Sequence, residues 1–377
     1  MKIGIINFRY PLYSNGSYLQ ESVNSLARQP EVTDLYVMAS CYPNREFTSP
    51  AKVHMVWLPY LALPVIGSIL FNLSIILWGV ASIFRTVDVI NVNSARPVIG
   101  ARILGFILRK PVVCTVEIIN NGDTTLVDLL SRQFQRIVFS FSFSHIICWS
   151  NYYWREYLQK WGIDKDKTSI IPCGINMECY DHTLTGSQIR NRFPNDSLVI
   201  VFAKPMYDYN LKMAVLLLEA VASLTGKIDI RVILGSGERQ HDLQTVITRL
   251  KLQDKAEIMP WVPFTEIAEY IAASDMIVLP FTYPPTSSRS LLEGLAMGKA
   301  LVTCPVGEVP YILQDGCHAL LVQPNAEALA GAIRRLALDQ RLRADLGQNG
   351  LELVRTTFSS QEIAKKTIDV YRNVLTN

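Results

Sequence analysis

Short apolar runs rich in β-branched residues alternate, along the whole chain, with segments whose apolar residues recur at helical spacing. Such runs, placed between helical segments, are typical of buried strands in parallel sheets. Alternating strands and helices predict an α/β protein whose ligands bind at the carboxyl ends of the strands. The predicted strands are residues 3–7, 35–38, 87–92, 112–116, 145–149 and 169–172 in the first half, and 198–203, 228–234, 257–259, 276–280, 300–303 and 319–322 in the second.

A polar stretch separates the two sets of predicted strands. Residues 171–176 close the last strand of the first set, and residues 185–197 are mostly polar. A chain of 377 residues is long enough for two α/β domains of ordinary size. The predicted division is a first domain at 1–178, a second at 179–357, and a C-terminal helix at 358–377 that packs back toward the first domain. Its start is marked by a capping box of Ser359 and Glu362.

The charge balance excludes several classes of protein. Charged residues make up 18% of the chain and hydrophobic residues 49%, which argues against disorder and allows a large core. The 36 basic residues nearly balance the 33 acidic ones, and the net charge of +3 is too small for a surface that follows nucleic-acid phosphates. We therefore predict no nucleic-acid partner, while local basic patches for an anionic ligand or membrane remain open.

The cysteines and histidines show neither a metal-binding nor a disulfide pattern. None of the seven cysteines forms a C-x-x-C pair, several lie in apolar runs, and the five histidines are scattered. Buried free thiols in a reducing compartment fit these positions, and no metal site is predicted. The apolar run at 3–7 is too short for the core of a signal peptide, so we expect a cytoplasmic protein.

Residues 53–84 contain no Lys, Arg, Asp or Glu, and the part after Pro64 has the ~20 residues that a membrane-spanning helix needs. At helical spacing this part has two faces. The small or polar face is formed by Ser68, Asn72, Gly79 and Ser82, and the apolar face by Ile66, Ile69, Leu70, Leu73, Ile76 and Leu77. A buried core helix, a helix docked on a membrane and a membrane-spanning helix remain open, but the polar face favours the first two.

We predict that this helix, at residues 64–84, packs one face on the first domain and presents the rest to a membrane surface or a lipid-linked acceptor. The flanking basic residues would then lie near anionic headgroups. These residues are Arg85, Arg102, Arg109 and Lys110. The resulting localisation is peripheral, on the cytoplasmic face of the membrane.

Two lysines in the second half follow a predicted strand. Lys204 ends the strand, and Lys212 is expected in the first turn of the next helix. A lysine there opposes the helix dipole unless an anion is bound, because helix N-termini and lysines both hold phosphates. A solvated surface lysine is the alternative. The glycines at 235 and 237 are weak support for phosphate binding, since tight turns need glycine in any α/β protein.

A polar loop at residues 284–290 leads from another predicted strand to a helix N-terminus, where backbone N–H groups are free to bind an anion. Arg289 and Ser290 are placed to hold a pyrophosphate. Glu293 lies one turn further along the helix, where it can accept hydrogen bonds from a ribose. The alternative for Glu293 is a capping box with Ser290.

This region resembles the signature of the family 4 glycosyltransferases of the GT-B fold, in which two glutamates separated by seven residues precede a helix of small residues and a second strand. The resemblance extends to further segments in the same order along the chain. These are Trp149-Ser150, Trp161-Gly162-Ile163, residues 170–176, 306–310 and 321–324. It implies two Rossmann-like domains whose parallel sheets face each other across a cleft.

The resemblance also implies an activity: a retaining, metal-independent transfer of a sugar from a nucleoside diphosphate sugar to a hydroxyl acceptor on a glycan or lipid. The nucleotide sugar is a co-substrate, and no other cofactor is implied. Lys204, where the family usually has arginine, and Lys212 would bind the diphosphate and stabilise the leaving phosphate. Glu293 would hold the ribose. The other implied donor-binding residues are Gly16, in a glycine loop at 14–17, and Thr286, Ser287, Ser288, Arg289 and Ser290.

Two positions depart from the family pattern. The first glutamate of the pair, which contacts the donor sugar in the family, is replaced by Pro285. Glu117 stands after a strand where the family often has histidine, and it either orients a sugar hydroxyl or is a solvated carboxylate at a strand end. These departures keep two alternatives open besides an active enzyme: a degenerate nucleotide-sugar-binding protein, and a membrane-associated scaffold.

Overall fold

A computed structural model describes residues 1–9, 18–40, 50–59, 64–117, 126–263, 266–285 and 289–376. The chain divides into two compact units. Unit 1 comprises Met1–Gly174 with Ser360–Asn377, and unit 2 comprises Ile175–Ser359. The divisions thus fall after residues 174 and 359, compared with 178 and 357 in the sequence analysis.

Unit 1 is built on a parallel sheet of seven strands in the described part of the chain, in the order β3-β2-β1-β4-β5-β6-β7. The strands are β1 (Lys2–Arg9), β2 (Asp34–Ser40), β3 (Val53–Leu58), β4 (Val89–Asn93), β5 (Val112–Val116), β6 (His145–Cys148) and β7 (Thr168–Ile170). Every residue of β4 and β5 is buried, as expected for central strands covered on both faces. Strand β3 was not predicted, because this segment continues into the uncharged stretch and shows no separate boundary.

Helices cover both faces of this sheet. They are α1 (Tyr18–Ala27), α2 (Pro64–Ala81), α3 (Val98–Leu108), α4 (Leu126–Phe139), the short α5 (Asn151–Tyr153) and the C-terminal helix, here α14 (Ser360–Thr376). One hydrophobic cluster contains buried side chains of α2, α3 and α4. The other contains those of α1 and α14. The C-terminal helix therefore belongs to unit 1, where Tyr371 accepts a hydrogen bond from Asn91 of β4.

The small and polar face of α2 packs against α3. The Asn72 Oδ1 accepts a hydrogen bond from the backbone N–H of Gly100 at 2.7 Å, and its Nδ2 donates to the carbonyl of Arg96 at 3.0 Å. A Cβ at Gly79 would lie 2.4 Å from the side chain of Leu104, so glycine allows the two helices to pack closely with Leu104 in this position. The helix ends at Ala81, before the predicted end at 84, because Ser82 begins a separate short helix, Ile83–Thr86. None of the described helices is long and apolar enough to cross a membrane.

Unit 2 contains a second parallel sheet, with six strands in its described residues, in the order β10-β9-β8-β11-β12-β13. The strands are β8 (Leu198–Phe202), β9 (Ile230–Leu234), β10 (Ala256–Ile258), β11 (Met276–Leu279), β12 (Ala300–Thr303) and β13 (Leu320–Leu321). The helices are α6 (Ser187–Arg190), α7 (Asp208–Leu224), α8 (Gln240–Arg249), α9 (Ile267–Ala272), α10 (Arg289–Ala296), α11 (Val309–Ile312), α12 (Ala326–Leu338) and α13 (Gln340–Leu353). The predicted α/β class with parallel sheets is confirmed.

The cysteines that the structure describes are free thiols. Cys114, Cys148, Cys173 and Cys304 are buried, and Cys179 and Cys317 are partly buried. Cys41 lies outside the described residues. The predicted burial is therefore confirmed for Cys114, Cys148, Cys173 and Cys304, whereas Cys179 and Cys317 are not fully buried.

Candidate functional site

The strand order of unit 2 reverses between β8 and β11. The connections that follow the two parallel strands at this point lead to opposite sides, which opens a crevice at the carboxyl ends of the strands. Lys204 follows β8, and the segment leading to Arg289 and Ser290 follows β11. The topology therefore brings to one edge of the sheet residues that are far apart along the chain.

Lys204 and Ser290 are in contact across the crevice. The Lys204 Nζ donates a hydrogen bond to the Ser290 Oγ at 3.2 Å and lies 5.5 Å from the centre of the Phe281 ring. Burial lowers the pKa of Lys204 to about 8, and the Glu293 carboxylate opposes this shift. An ammonium group that is costly to bury gains most from an anionic ligand, because the ligand's charge offsets the lost hydration.

Glu293 lies in α10 and is buried. Its Oε1 accepts hydrogen bonds from the Arg289 Nε at 2.9 Å and from the Tyr180 hydroxyl at 2.8 Å. Burial and the Glu293 charge raise the pKa of Tyr180 far above its usual value, so the phenol stays a hydrogen-bond donor. Two donors on one oxygen hold the carboxylate in a single orientation. The capping-box alternative is wrong, since Ser290 lies within α10 and does not precede it.

The sequence analysis did not predict Tyr180. This residue is separated from Glu293 by 113 positions. No periodicity or spacing relates the two segments, and a tyrosine outside a motif carries no signal of its own. Only the packing of the chain before β8 against α10 reveals the contact.

Lys212 lies two residues further into its helix than predicted. α7 begins at Asp208 and not at Asn210, so Lys212 opens the second turn. Asp208 supplies the negative charge that a first turn favours and pairs with Arg239 at 2.5 Å. Lys212 is exposed, and within the described ranges it has no hydrogen-bond or ion-pair partner. The structure thus joins Lys204, Ser290, Arg289 and Glu293 in one network and leaves Lys212 outside it.

The glycine turn after β9 has a packing role. A Cβ at Gly235 would lie 2.2 Å from the carbonyl oxygen of Lys204, and one at Gly237 would lie 2.5 Å from the backbone nitrogen of Met206. The glycines therefore allow the β9 turn to approach the backbone of residues 204–206. This contact fixes the position of the lysine backbone and explains the glycines without a phosphate.

Pro285, at the position of the missing glutamate, is buried beside the turn after β12. Its carbonyl accepts a hydrogen bond from the Glu308 backbone N–H at 3.3 Å. Glu308 is itself a buried carboxylate residue. The departure from the family pattern therefore leaves the local backbone packing intact.

The remaining predicted site residues lie elsewhere. Glu117 directly follows β5 in unit 1 and is buried, so it is not a solvated carboxylate. Burial and Glu117 together raise the pKa of the Cys114 thiol in β5. Gly16, with its loop at 14–17, and the loop residues Thr286, Ser287 and Ser288 fall outside the described residues. Within the described ranges, no group of His, Cys, Asp and Glu side chains is arranged to hold a metal ion.

Comparison with known families gives two matches that together cover most of the chain. Residues 16–178 match the family described as Glycosyltransferase Family 4, and residues 197–339 match Glycosyl transferases group 1. Similar proteins include the α-D-kanosaminyltransferase of Streptomyces kanamyceticus, 28% identical over 42% of this chain and 41% of its own length. Another is the D-inositol 3-phosphate glycosyltransferase of Streptomyces griseus, 28% identical over 59% and 52%. The chain thus spans about half the length of these relatives.

Two solved structures show the fold over the full length of the chain. HepE of Anabaena, in complex with UDP, superposes with a TM-score of 0.79 at 18% identity and covers 99% of this chain and 100% of its own. The sucrose-phosphate synthase of Thermosynechococcus elongatus superposes with a TM-score of 0.83, also at 18% identity, over 100% and 99%. At these identities, the likeness is one of fold.

Proposed function

Because this chain belongs to the family 4 glycosyltransferases and has the GT-B fold, we propose that it transfers a sugar from a nucleoside diphosphate sugar to a hydroxyl acceptor. The observation that carries the proposal is the network at the switch point of unit 2. It combines a partly buried ammonium group, Lys204, with a buried carboxylate, Glu293, whose orientation is fixed by Arg289 and Tyr180. Such a pair is suited to a ligand that has both phosphates and ribose hydroxyls.

In the proposed reaction, the bond between the anomeric carbon and the diphosphate oxygen breaks. A new bond forms to the acceptor oxygen, and the acceptor hydroxyl passes its proton to an oxygen of the departing diphosphate. Negative charge grows on the departing diphosphate, where Lys204, Lys212 and the N-terminus of α10 would stabilise it. These groups would replace a divalent cation, which is why we propose metal-independent transfer. Retention of the anomeric configuration is proposed from the family resemblance.

A screen of nucleotide sugars tests this proposal. UDP and UDP-glucose are the first probes, because structures of the similar HepE protein contain them. A ligand at a hundred times its Kd stabilises the folded state by about 2.7 kcal/mol, which a melting curve detects. Sugar release and transfer in EDTA, with the product anomer assigned by NMR, would test the metal-independent and retaining mechanism. Binding without hydrolysis or transfer would favour the degenerate binding protein that Pro285 suggests.

The first prediction concerns pH. Above pH 8, Lys204 loses its proton in the free protein but keeps it beside a bound diphosphate. Nucleotide binding then requires proton uptake, so UDP affinity should fall by up to about tenfold between pH 8 and pH 9. In the Lys204→Arg variant the guanidinium stays charged, and the affinity should remain level. Isothermal titration between pH 7 and pH 9 measures both.

An equal decline in the wild type and in Lys204→Arg would contradict this assignment. Melting temperatures of the free protein provide a further check. The unfolded chain holds this proton up to its ordinary pKa of 10.5, so burial of the charged lysine destabilises the fold below pH 8. The contribution of this group to stability should therefore rise with pH between 8 and 10.5.

We also propose that unit 1 binds the surface of a membrane and that the acceptor is lipid-linked. The outer sides of α2, α3 and α4 expose a set of large apolar side chains. These are Ile66, Ile69, Leu70, Leu73, Leu77 and Trp78 of α2, Ile99, Ile103, Phe106 and Ile107 of α3, and Leu129, Leu130, Phe134 and Ile137 of α4. Leu77 is 64% exposed and Phe106 85%. An apolar surface of this extent marks an interaction site.

The charges around these helices fit an anionic leaflet. α2 and α3 contain no acidic residue. Arg85 follows α2, Arg109 follows α3, and both are exposed, as is Arg136 in the last turn of α4. The polar face of α2 is already occupied by α3, so its apolar face is the one that remains for lipid. Each basic residue near the surface adds about 1 kcal/mol of attraction.

The second prediction is therefore a loss of membrane binding in the Leu73→Asp, Leu77→Asp variant. Two charges in the apolar face should reduce co-flotation with phosphatidylserine liposomes more than tenfold. Placing a carboxylate in lipid costs more free energy than losing the burial of one leucine side chain. Leu338→Asp, an exposed leucine of unit 2, is the matched control and should float like the wild type. High salt should weaken binding. Absence of wild-type flotation would exclude the surface, and retention after carbonate would indicate integral insertion instead.

A further inference from the structure

We propose that three tyrosines at the switch point of unit 2 form a stacking surface for the pyranose ring of a sugar substrate, an inference that rests on the proposed sugar transfer. Tyr207 and Tyr209 follow β8, and Tyr283 follows β11. We call them the tyrosine cluster. The two segments that carry these residues leave the sheet on opposite sides of the crevice, where open α/β sheets bind their ligands.

The rings of the tyrosine cluster touch each other and still face solvent. The centres of Tyr207 and Tyr209 are 6.0 Å apart, and those of Tyr209 and Tyr283 are 5.3 Å apart in an edge-to-face arrangement. Tyr207 is 39% exposed and Tyr209 is 50% exposed. Aromatic side chains that pack together yet keep this much surface in water present a preformed apolar platform.

Hydrogen bonds hold the platform in place without a ligand. The Tyr283 hydroxyl donates to the Asn210 Oδ1 at 3.3 Å, and the Asn210 Nδ2 donates to the carbonyl of Pro205 at 2.6 Å. Asn210 is buried, so this link between the two segments is shielded from water. A platform that is ordered before binding loses little conformational freedom when a ligand arrives.

The tyrosine cluster continues the charged network at the same crevice. Tyr283 contacts the Phe281 ring at 6.0 Å between centres, and the Lys204 ammonium lies 5.5 Å from that ring. Tyr207 and Tyr209 lie between Lys204 and Lys212 along the chain. A ligand with its phosphates at the lysines would therefore extend its next group over the tyrosines.

A pyranose ring fits this surface chemically. One side of the ring presents C–H groups, which pack on the electron-rich face of an aromatic ring, while the hydroxyls at its rim reach water or polar groups. Pro285 lacks the carboxylate that contacts the donor sugar in the family, and ring stacking would provide a contact of another kind.

Substitution of Tyr209 tests the inference. Tyr209→Leu keeps apolar volume but removes the flat ring, whereas Tyr209→Phe keeps the ring. Calorimetry would compare the affinity for UDP with that for UDP-glucose, and the affinity for GDP with that for GDP-mannose. The leucine variant should bind the nucleotide sugar about 3- to 10-fold more weakly, the loss of one aromatic contact, and the free diphosphate unchanged. The phenylalanine variant and Phe141→Leu, an exposed aromatic of unit 1, should match the wild type.

A second measurement separates the donor sugar from the acceptor sugar. Saturation-transfer NMR with methyl α-glucoside, in the presence of UDP, reports stacking of an acceptor ring. Loss of that signal in Tyr209→Leu, with UDP-glucose affinity unchanged, would assign the surface to the acceptor. Equal weakening of UDP and UDP-glucose, or no change in any measurement, would overturn the inference. Failure of the wild type to bind any nucleotide would instead count against the proposed donor site.

Discussion

We expect the Lys212→Ala variant to lose about 10²–10³-fold in the rate of sugar transfer while its melting temperature stays at the wild-type value. Removal of one group that stabilises developing charge typically costs this much in rate. The fold should not suffer, because Lys212 is exposed and makes no hydrogen bond or ion pair among the described residues. Initial rates with saturating donor, together with a thermal melt, measure both quantities.

A second exposed lysine provides the control. Lys227 lies in unit 2 after α7 and is also exposed. Lys227→Ala removes the same charge from the same unit, so it should leave turnover unchanged. Near-normal turnover in Lys212→Ala would remove Lys212 from the donor site. Equal losses in the two variants would indicate a general effect of charge on the protein.

Replacement of Glu293 by glutamine should weaken nucleotide affinity about 10- to 100-fold, with a small change in stability. Hydrogen bonds to a charged group contribute about 1.5–3 kcal/mol, and the substitution removes the charge but keeps the shape. The amide oxygen can still accept from Arg289 and Tyr180, which limits the structural cost. Titration with UDP and, as a comparison, with inorganic pyrophosphate would show whether the lost contact is to the ribose.

Two further variants sharpen this test. Glu327→Gln, at an exposed position in α12, should leave UDP affinity unchanged. Tyr180→Phe removes one of the two donors that orient Glu293, so we expect a rise in KM for the nucleotide sugar and a smaller change in kcat. If Glu293→Gln binds UDP like the wild type but melts at a much lower temperature, the carboxylate has a structural role only.

The surroundings of Pro285 bear on the choice between an active enzyme and a degenerate nucleotide-sugar-binding protein. The proline is buried, and its carbonyl accepts a hydrogen bond from the backbone N–H of Glu308, so residue 285 is held to the turn after β12 without the glutamate. Loss of the fold is therefore not a consequence of this substitution. The variant of Glu293 tests binding of the nucleotide, and the variant of the tyrosine cluster tests binding of the sugar.

The amino-acid sequence by itself determined the class of fold and the family. Hydrophobic runs such as 198–203 and 276–280 coincide with β8 and β11. A central parallel strand is covered on both faces, so its consecutive residues are all apolar and form a recognisable run. The helix start near Arg289 was predicted in the same way, since a strand, a polar segment and a helix start are local features of the sequence. Motif residues that are close along the chain were predicted for this reason.

The tertiary structure alone decided which distant residues meet. Tyr180 orients Glu293 from 113 positions away, Tyr371 joins Asn91 from 280 positions away, and the polar face of α2 is used by α3. No periodicity or spacing in the sequence predicts these contacts, because each depends on how separate helices and strands pack together. The sequence also left open whether the apolar side of α2 is buried or exposed, because an uncharged helix can have the same residues in a core and at a surface.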